Sequence, residues 1–69
     1  MTEKYRVSVD YFDGTSNTVW NGVCSKGKVE KVFHSAIIEQ KAKYETDKKS
    51  CFVRVYDKDD NVIRQETFH

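Results

Sequence analysis

The hydrophobic period of this chain changes twice along its length, and that alternation limits what it can fold into. Residues 4–12 (Lys-Tyr-Arg-Val-Ser-Val-Asp-Tyr-Phe) alternate strictly, with Tyr5, Val7, Val9 and Tyr11 on one side and Arg6, Ser8, Asp10 and Phe12 on the other. A period of two with β-branched and aromatic residues predicts a strand. Asp13-Gly14-Thr15-Ser16-Asn17 is turn chemistry, and residues 18–24 read as the return strand. From Val29 the period becomes helical: Val29, Val32, Phe33, Ala36, Ile37, Gln40 and Tyr44 form one stripe, with Ser25 placed as N-cap. Residues 46–50 make the exit loop. They contain no glycine to cap the helix, so its end is expected to fray. Residues 51–68 then alternate again around an acidic turn at 57–61, where Asp60 or Asn61 can take the left-handed conformation usually given to glycine.

The element order is therefore ββαββ, an α+β chain. The economical solution is one four-stranded antiparallel sheet with the helix packed on one face. The strand order 2-1-3-4 sets Val7 and Val9 beside Val53 and Val55 under the helical stripe. Two registers are open for the first hairpin. Pairing Val7 with Val23 and Tyr11 with Val19 leaves Trp20 on the outer face, whereas a one-residue bulge in the loop or near Gly22 turns it inward. In the second hairpin the turn pairs Val55 with Ile63 and Val53 with Gln65.

At 69 residues the chain is a single domain near the lower size limit for folding without a staple. Hydrophobic content is 38%, enough for a modest core but not for a deep enclosed pocket. The formal net charge of +1 fits neither an acidic DNA mimic nor a general nucleic-acid binder. No apolar run reaches membrane-spanning length, and the N-terminus leads into a strand rather than a signal peptide. Two cysteines, Cys24 and Cys51, are fewer than a small secreted domain usually carries. Reduced, half-buried thiols in a cytoplasmic protein are expected, with a single disulfide as the alternative.

Motifs for chemistry are incomplete. A nucleophile–base pair would have to use Cys24 or Cys51 with His34 or His69. Neither cysteine has the helix-start or glycine context that lowers a thiol pKa. The same four residues lack the short paired spacing of a zinc site. Asp57-x-Asp59-x-Asn61 begins like an EF-hand loop, but Val62 stands at the glycine position and Phe68 at the closing glutamate. Gly14, Gly22 and Gly27 are isolated, so no phosphate loop is present. No enzymatic activity, cofactor or metal is expected.

Two surfaces remain. Strict alternation puts Cys51, Val53, Val55 and Ile63 on the core side of the closing hairpin and Phe52, Arg54, Tyr56, Val62, Arg64 and Phe68 on the other. With Arg6, Phe12 and, in one register, Trp20, this outer face is rich in the residue types that dominate protein-interface hot spots. Stacked aromatics on a sheet also hold single-stranded nucleic acid. Cross-strand pairing, Arg54 beside Glu66 and Tyr56 beside Val62, explains the same residues by sheet stability alone. The second surface is basic: Lys26, Lys28 and Lys31 at the helix start, with Lys41, Lys43, Lys48 and Lys49 at its end. A solvated helix face accounts for most of these.

The closing segment Phe52-Val-Arg-Val-Tyr-Asp-Lys-Asp-Asp-Asn-Val-Ile-Arg64, after a single helix, resembles a family of small uncharacterised bacterial proteins. Where that family's turn usually has glycine, this chain has Asp60. Size, near-neutral charge and element order are also similar to small phage anti-CRISPR proteins. That resemblance implies an inhibitor that binds a protein surface of a larger complex. The expected function is a non-enzymatic protein-binding module whose partner contacts are Phe52, Arg54, Tyr56 and Arg64, with Lys28 and Lys31 as an electrostatic supplement. A nucleic-acid-binding domain using the same aromatics is the alternative, and homodimerisation through that face a further option.

Overall fold

The computed structural model describes residues 2–69. Strands β1 (Thr2–Tyr11) and β2 (Ser16–Ser25) form a hairpin. Helix α1 (Lys26–Asp47) follows, and β3 (Cys51–Tyr56) and β4 (Val62–Phe68) form a second hairpin. The sheet is antiparallel with order β2-β1-β3-β4, as expected from the pattern, and the helix covers one face. The core beneath it is Tyr5, Val7, Val9, Val53, Val55 and Cys51 from the sheet against Val29, Phe33 and Ala36 from the helix. Gln40 is buried among them and donates to the Tyr11 hydroxyl at 3.4 Å, so its amide does not go unpartnered. Cys24 and Cys51 are both buried and unbonded.

The helix begins where its side chains require. Ser25 is extended, and its Oγ accepts from the Lys28 backbone N–H at 3.2 Å. The end differs from expectation. The helix continues through Thr46 to Asp47 and stops on Lys48 in the left-handed region (φ 56°), whose N–H bonds the Tyr44 carbonyl at 2.8 Å. A lysine thus makes the cap that glycine usually makes.

Both hairpins turn in the same way. Tyr11 N–H bonds Thr15 O and Gly14 N–H bonds Tyr11 O, with Gly14 at φ 95°. Asp57 N–H bonds Asn61 O and Asp60 N–H bonds Asp57 O, with Asp60 at φ 62°. Asp60 is the residue that replaces glycine. Each hairpin then carries a second bulge within its strands; in the first it selects the register that turns Trp20 inward, with the extra residue at Val19 rather than in the loop or at Gly22, and in the second it overturns the expected register. In the first, Asp10 faces Ser16 and Ser8 faces Thr18, but Val7 faces Trp20, so Val19 is the extra residue. Val23 lies opposite Lys4 rather than Val7, and Trp20 points to the helix side, packed against the core. In the second, Tyr56 faces Val62 as expected, but Val55 faces Arg64 and Val53 faces Glu66, so Ile63 is the extra residue.

A bulge exchanges faces for everything beyond it. Arg64 and Phe68 therefore lie on the helix side, not on the outer face. Ile63 is 41% exposed and does not belong to the core. Because Val7 also pairs with Val55, the two bulges occur at one level of the sheet, along the row Trp20–Val7–Val55–Arg64.

Candidate functional site

Among the described residues no element lies over the sheet face opposite the helix, yet Arg6, Asp10, Phe52, Arg54 and Tyr56 there are half-buried because the side chains of this face cover one another. Registers β1–β3 and β3–β4 place Arg6 beside Tyr56, Ser8 beside Arg54, Asp10 beside Phe52, and Gln65 beside Arg54. Asp10 is the hub. Its Oδ2 accepts from the Tyr56 hydroxyl at 2.5 Å and from the Arg54 guanidinium at 3.3 Å, and its Oδ1 accepts from Ser8 Oγ at 2.8 Å. The Arg54 Nε donates to Gln65 Oε1 at 2.9 Å, replacing the expected pairing with Glu66. Both guanidinium groups lie against rings: Arg54 is 4.1 Å from the Phe52 centroid and Arg6 is 4.1 Å from that of Tyr56. Phe12 stacks on Phe52 at 4.8 Å, and the terminal His69 ring follows Phe12 at 6.1 Å. A ladder of ring and guanidinium planes thus runs along β3. Ser8 beneath it is only 1% exposed, although nothing but neighbouring side chains covers it.

The electrostatics of Asp10 follow from this geometry. Burial pushes its pKa up, but hydrogen bonds from Tyr56, Ser8 and Arg54, together with the Arg54 charge, outweigh burial and hold the carboxyl below its ordinary value. The carboxylate stays ionised, and each partner donates to it.

The expected contact residues divide into three groups. Phe52, Arg54 and Tyr56 are together on the open face. Arg64 is on the other side, 3.3 Å from Glu30 of the helix and 5.4 Å from the Phe33 ring. Lys28 and Lys31 are exposed on the helix, the layer opposite the open face. One flat contact cannot engage all of them. Asp10 and Gln65 are hydrogen-bond partners of Arg54, and Asp10 also of Tyr56, that alternation alone did not single out. The signal for Asp10 was its place between Ser8 and Phe12 on the aromatic face, a carboxylate where arginines needed a counter-charge.

Elsewhere the chemistry-bearing residues stay apart. Cys24 and Cys51 are in the core, and burial pushes the Cys51 thiol pKa up. His34 is on the outer flank of the helix, 3.9 Å from Glu30. Asp57 Oδ1 accepts from the backbone N–H groups of Asp59 and Asn61, so it braces the turn. Among the described residues no group of three or more His, Cys, Asp or Glu side chains converges. No helix among the described residues is long and apolar enough to cross a membrane. Comparison with known proteins gives no match to a family model, a curated protein or a solved structure.

Proposed function

We propose that this chain is a small, non-enzymatic protein-binding module of the cytoplasm whose contact surface is the open sheet face, with Phe12, Phe52, Arg54, Tyr56 and Arg6 as the contacting residues. The observation that carries this reading is the lock on the two arginines: each guanidinium is laid on a ring, and Arg54 is also tied to Asp10 and Gln65. Aromatic and arginine side chains dominate binding hot spots, and side chains already ordered lose little entropy on binding. Size, near-neutral charge and a shallow surface favour action by occupying part of a larger complex, in the manner of phage anti-CRISPR inhibitors. Arg64, held by Glu30, and the helix residues Lys28 and Lys31 fall outside this contact.

The nucleic-acid reading gains less from the geometry. Guanidinium groups occupy ring faces of Phe52 and Tyr56 on which bases would stack, and Asp10 places a carboxylate at the centre. Affinity capture from phage-infected bacteria separates the two. The wild-type chain is expected to retain a protein partner that a folded Phe52→Ala/Arg54→Ala variant loses and a Lys28→Ala/Lys31→Ala variant keeps. Equal capture by the sheet-face variant would remove the reading. Steeply salt-dependent binding of single-stranded DNA or RNA would replace it with the alternative.

A further inference from the structure

We propose that two copies of this chain associate through the free edge of β2, pairing antiparallel there so that one sheet runs through both. The sheet has two edges, β2 and β4. Edge strands are commonly protected by charge, proline or bulges. β4 carries Arg64 and Glu66, whereas β2 (Ser-Asn-Thr-Val-Trp-Asn-Gly-Val-Cys-Ser) has no charged residue and no proline over ten positions. Its one bulge lies at Val19, and from Trp20 to Ser25 its pairing with β1 is regular. That stretch presents an unpaired backbone edge to solvent, with Val23 68% exposed and Trp20 only half-buried.

The occupant that fits is a second copy. With a net charge of +1, copies repel one another little, and antiparallel self-pairing of an uncharged strand sets no like charges opposite each other. On the helix side the groove beside this edge is lined by Val19 and Thr18 of β2 and by Glu39 and Lys43 of the helix. A two-fold axis normal to the sheet brings the copy's helix to the same side in the reverse direction. Pairing places Asn21 and Val23 of both copies on one side and Trp20, Gly22 and Cys24 on the other. The association closes after two copies and leaves the open sheet face free, so it stands apart from that face's role.

Sedimentation velocity from micromolar to millimolar concentration tests this. The mass is expected to rise from 8.1 kDa toward twice that value. Emission of Trp20, the only tryptophan, is expected to move to the blue in parallel. Val23→Lys, at an exposed position that tolerates lysine, is expected to raise the dimer Kd by about tenfold or more with an unchanged circular dichroism spectrum. Thr67→Lys on the other edge is expected to leave the dimer intact. A mass of 8.1 kDa at every concentration overturns the proposal, and so does a Val23→Lys variant that dimerises like wild type. A dimer abolished by Phe12→Ala but not by Val23→Lys also overturns it, by assigning self-association to the open face.

Discussion

The N-terminal hairpin uses its in-strand bulge to bring an indole over the core, whereas the C-terminal hairpin uses the same device to bring a guanidinium against a helix. Turn, left-handed residue and second bulge recur in both, and the bulges meet at one row of the sheet. What differs is the side chain delivered and how firmly it is held. Trp20 lies over Gly22, where an added Cβ would come within 3.3 Å of the ring, and it packs against buried residues. Arg64 makes an ion pair with Glu30 in which the side chains are 47% and 30% exposed, so solvent screens it in part. One edge of the row is therefore held by packing and the other by charge.

The sharpest way to break that comparison is to truncate both ends of the row. Trp20→Ala is expected to cost about 2–4 kcal/mol, from lost burial and the void it leaves. Arg64→Ala is expected to cost less than about 1 kcal/mol, as for exposed ion pairs. Urea unfolding of the two variants reads the difference, and equal midpoints would mean that the rows are not held differently.

Next in size is the turn. Gly14 has φ 95°, so Gly14→Ala is expected to cost about 1–2 kcal/mol by the same measurement. No loss would mean that the N-terminal turn relaxes to another type.

A third test concerns the open face that both hairpins build. Asp10→Asn is expected to cost about 1 kcal/mol at neutral pH, because Tyr56 and Arg54 then donate to a neutral amide. The wild-type carboxyl titrates below its ordinary value of 3.8, so its stabilisation is complete above that pH and disappears as pH falls through the lower folded value. The gap between wild type and variant should therefore close in acid below about pH 4. A gap that persists unchanged there would show that charge on Asp10 is not what holds the ladder.

The smallest effect expected is a gain. Asp60→Gly relieves a left-handed aspartate and should stabilise by about 0.5 kcal/mol, less whatever the 3.5 Å contact with Arg6 contributes. A loss in thermal melting would assign more to that contact than its exposure implies.

Much of this is legible in the sequence. Element order, the Ser25 cap, the helical stripe and a left-handed Asp60 or Asn61 in place of glycine follow from local chemistry, and strand order from burying Val7, Val9, Val53 and Val55 under that stripe; all are present, with Asp60 the left-handed residue. The second register failed at Ile63, and in the first hairpin the bulge that turns Trp20 inward falls at Val19 rather than in the loop or at Gly22. Up to Tyr56 and Val62 the second hairpin pairs as its turn dictates, and one further residue then reverses Arg64 and Phe68. A bulge of this kind leaves no local mark, because neither Val19 nor Ile63 is unusual for a strand. The long-range need was visible only in the fold, where Phe68 meets Tyr44 and Arg64 meets Glu30. The candidate site inherited the same error: its β3 residues stayed together, and its β4 arginine did not.

The strand order has a consequence in time. The central contact, β1 with β3, joins the beginning of the chain to its last third, with the whole helix in between. Each hairpin has a local turn and can close within microseconds, but neither can shield its apolar side alone. The slow event in folding is therefore expected to be the meeting of two preformed hairpins along Val7–Val55 and Val9–Val53, with the helix as the tether that sets how often they collide.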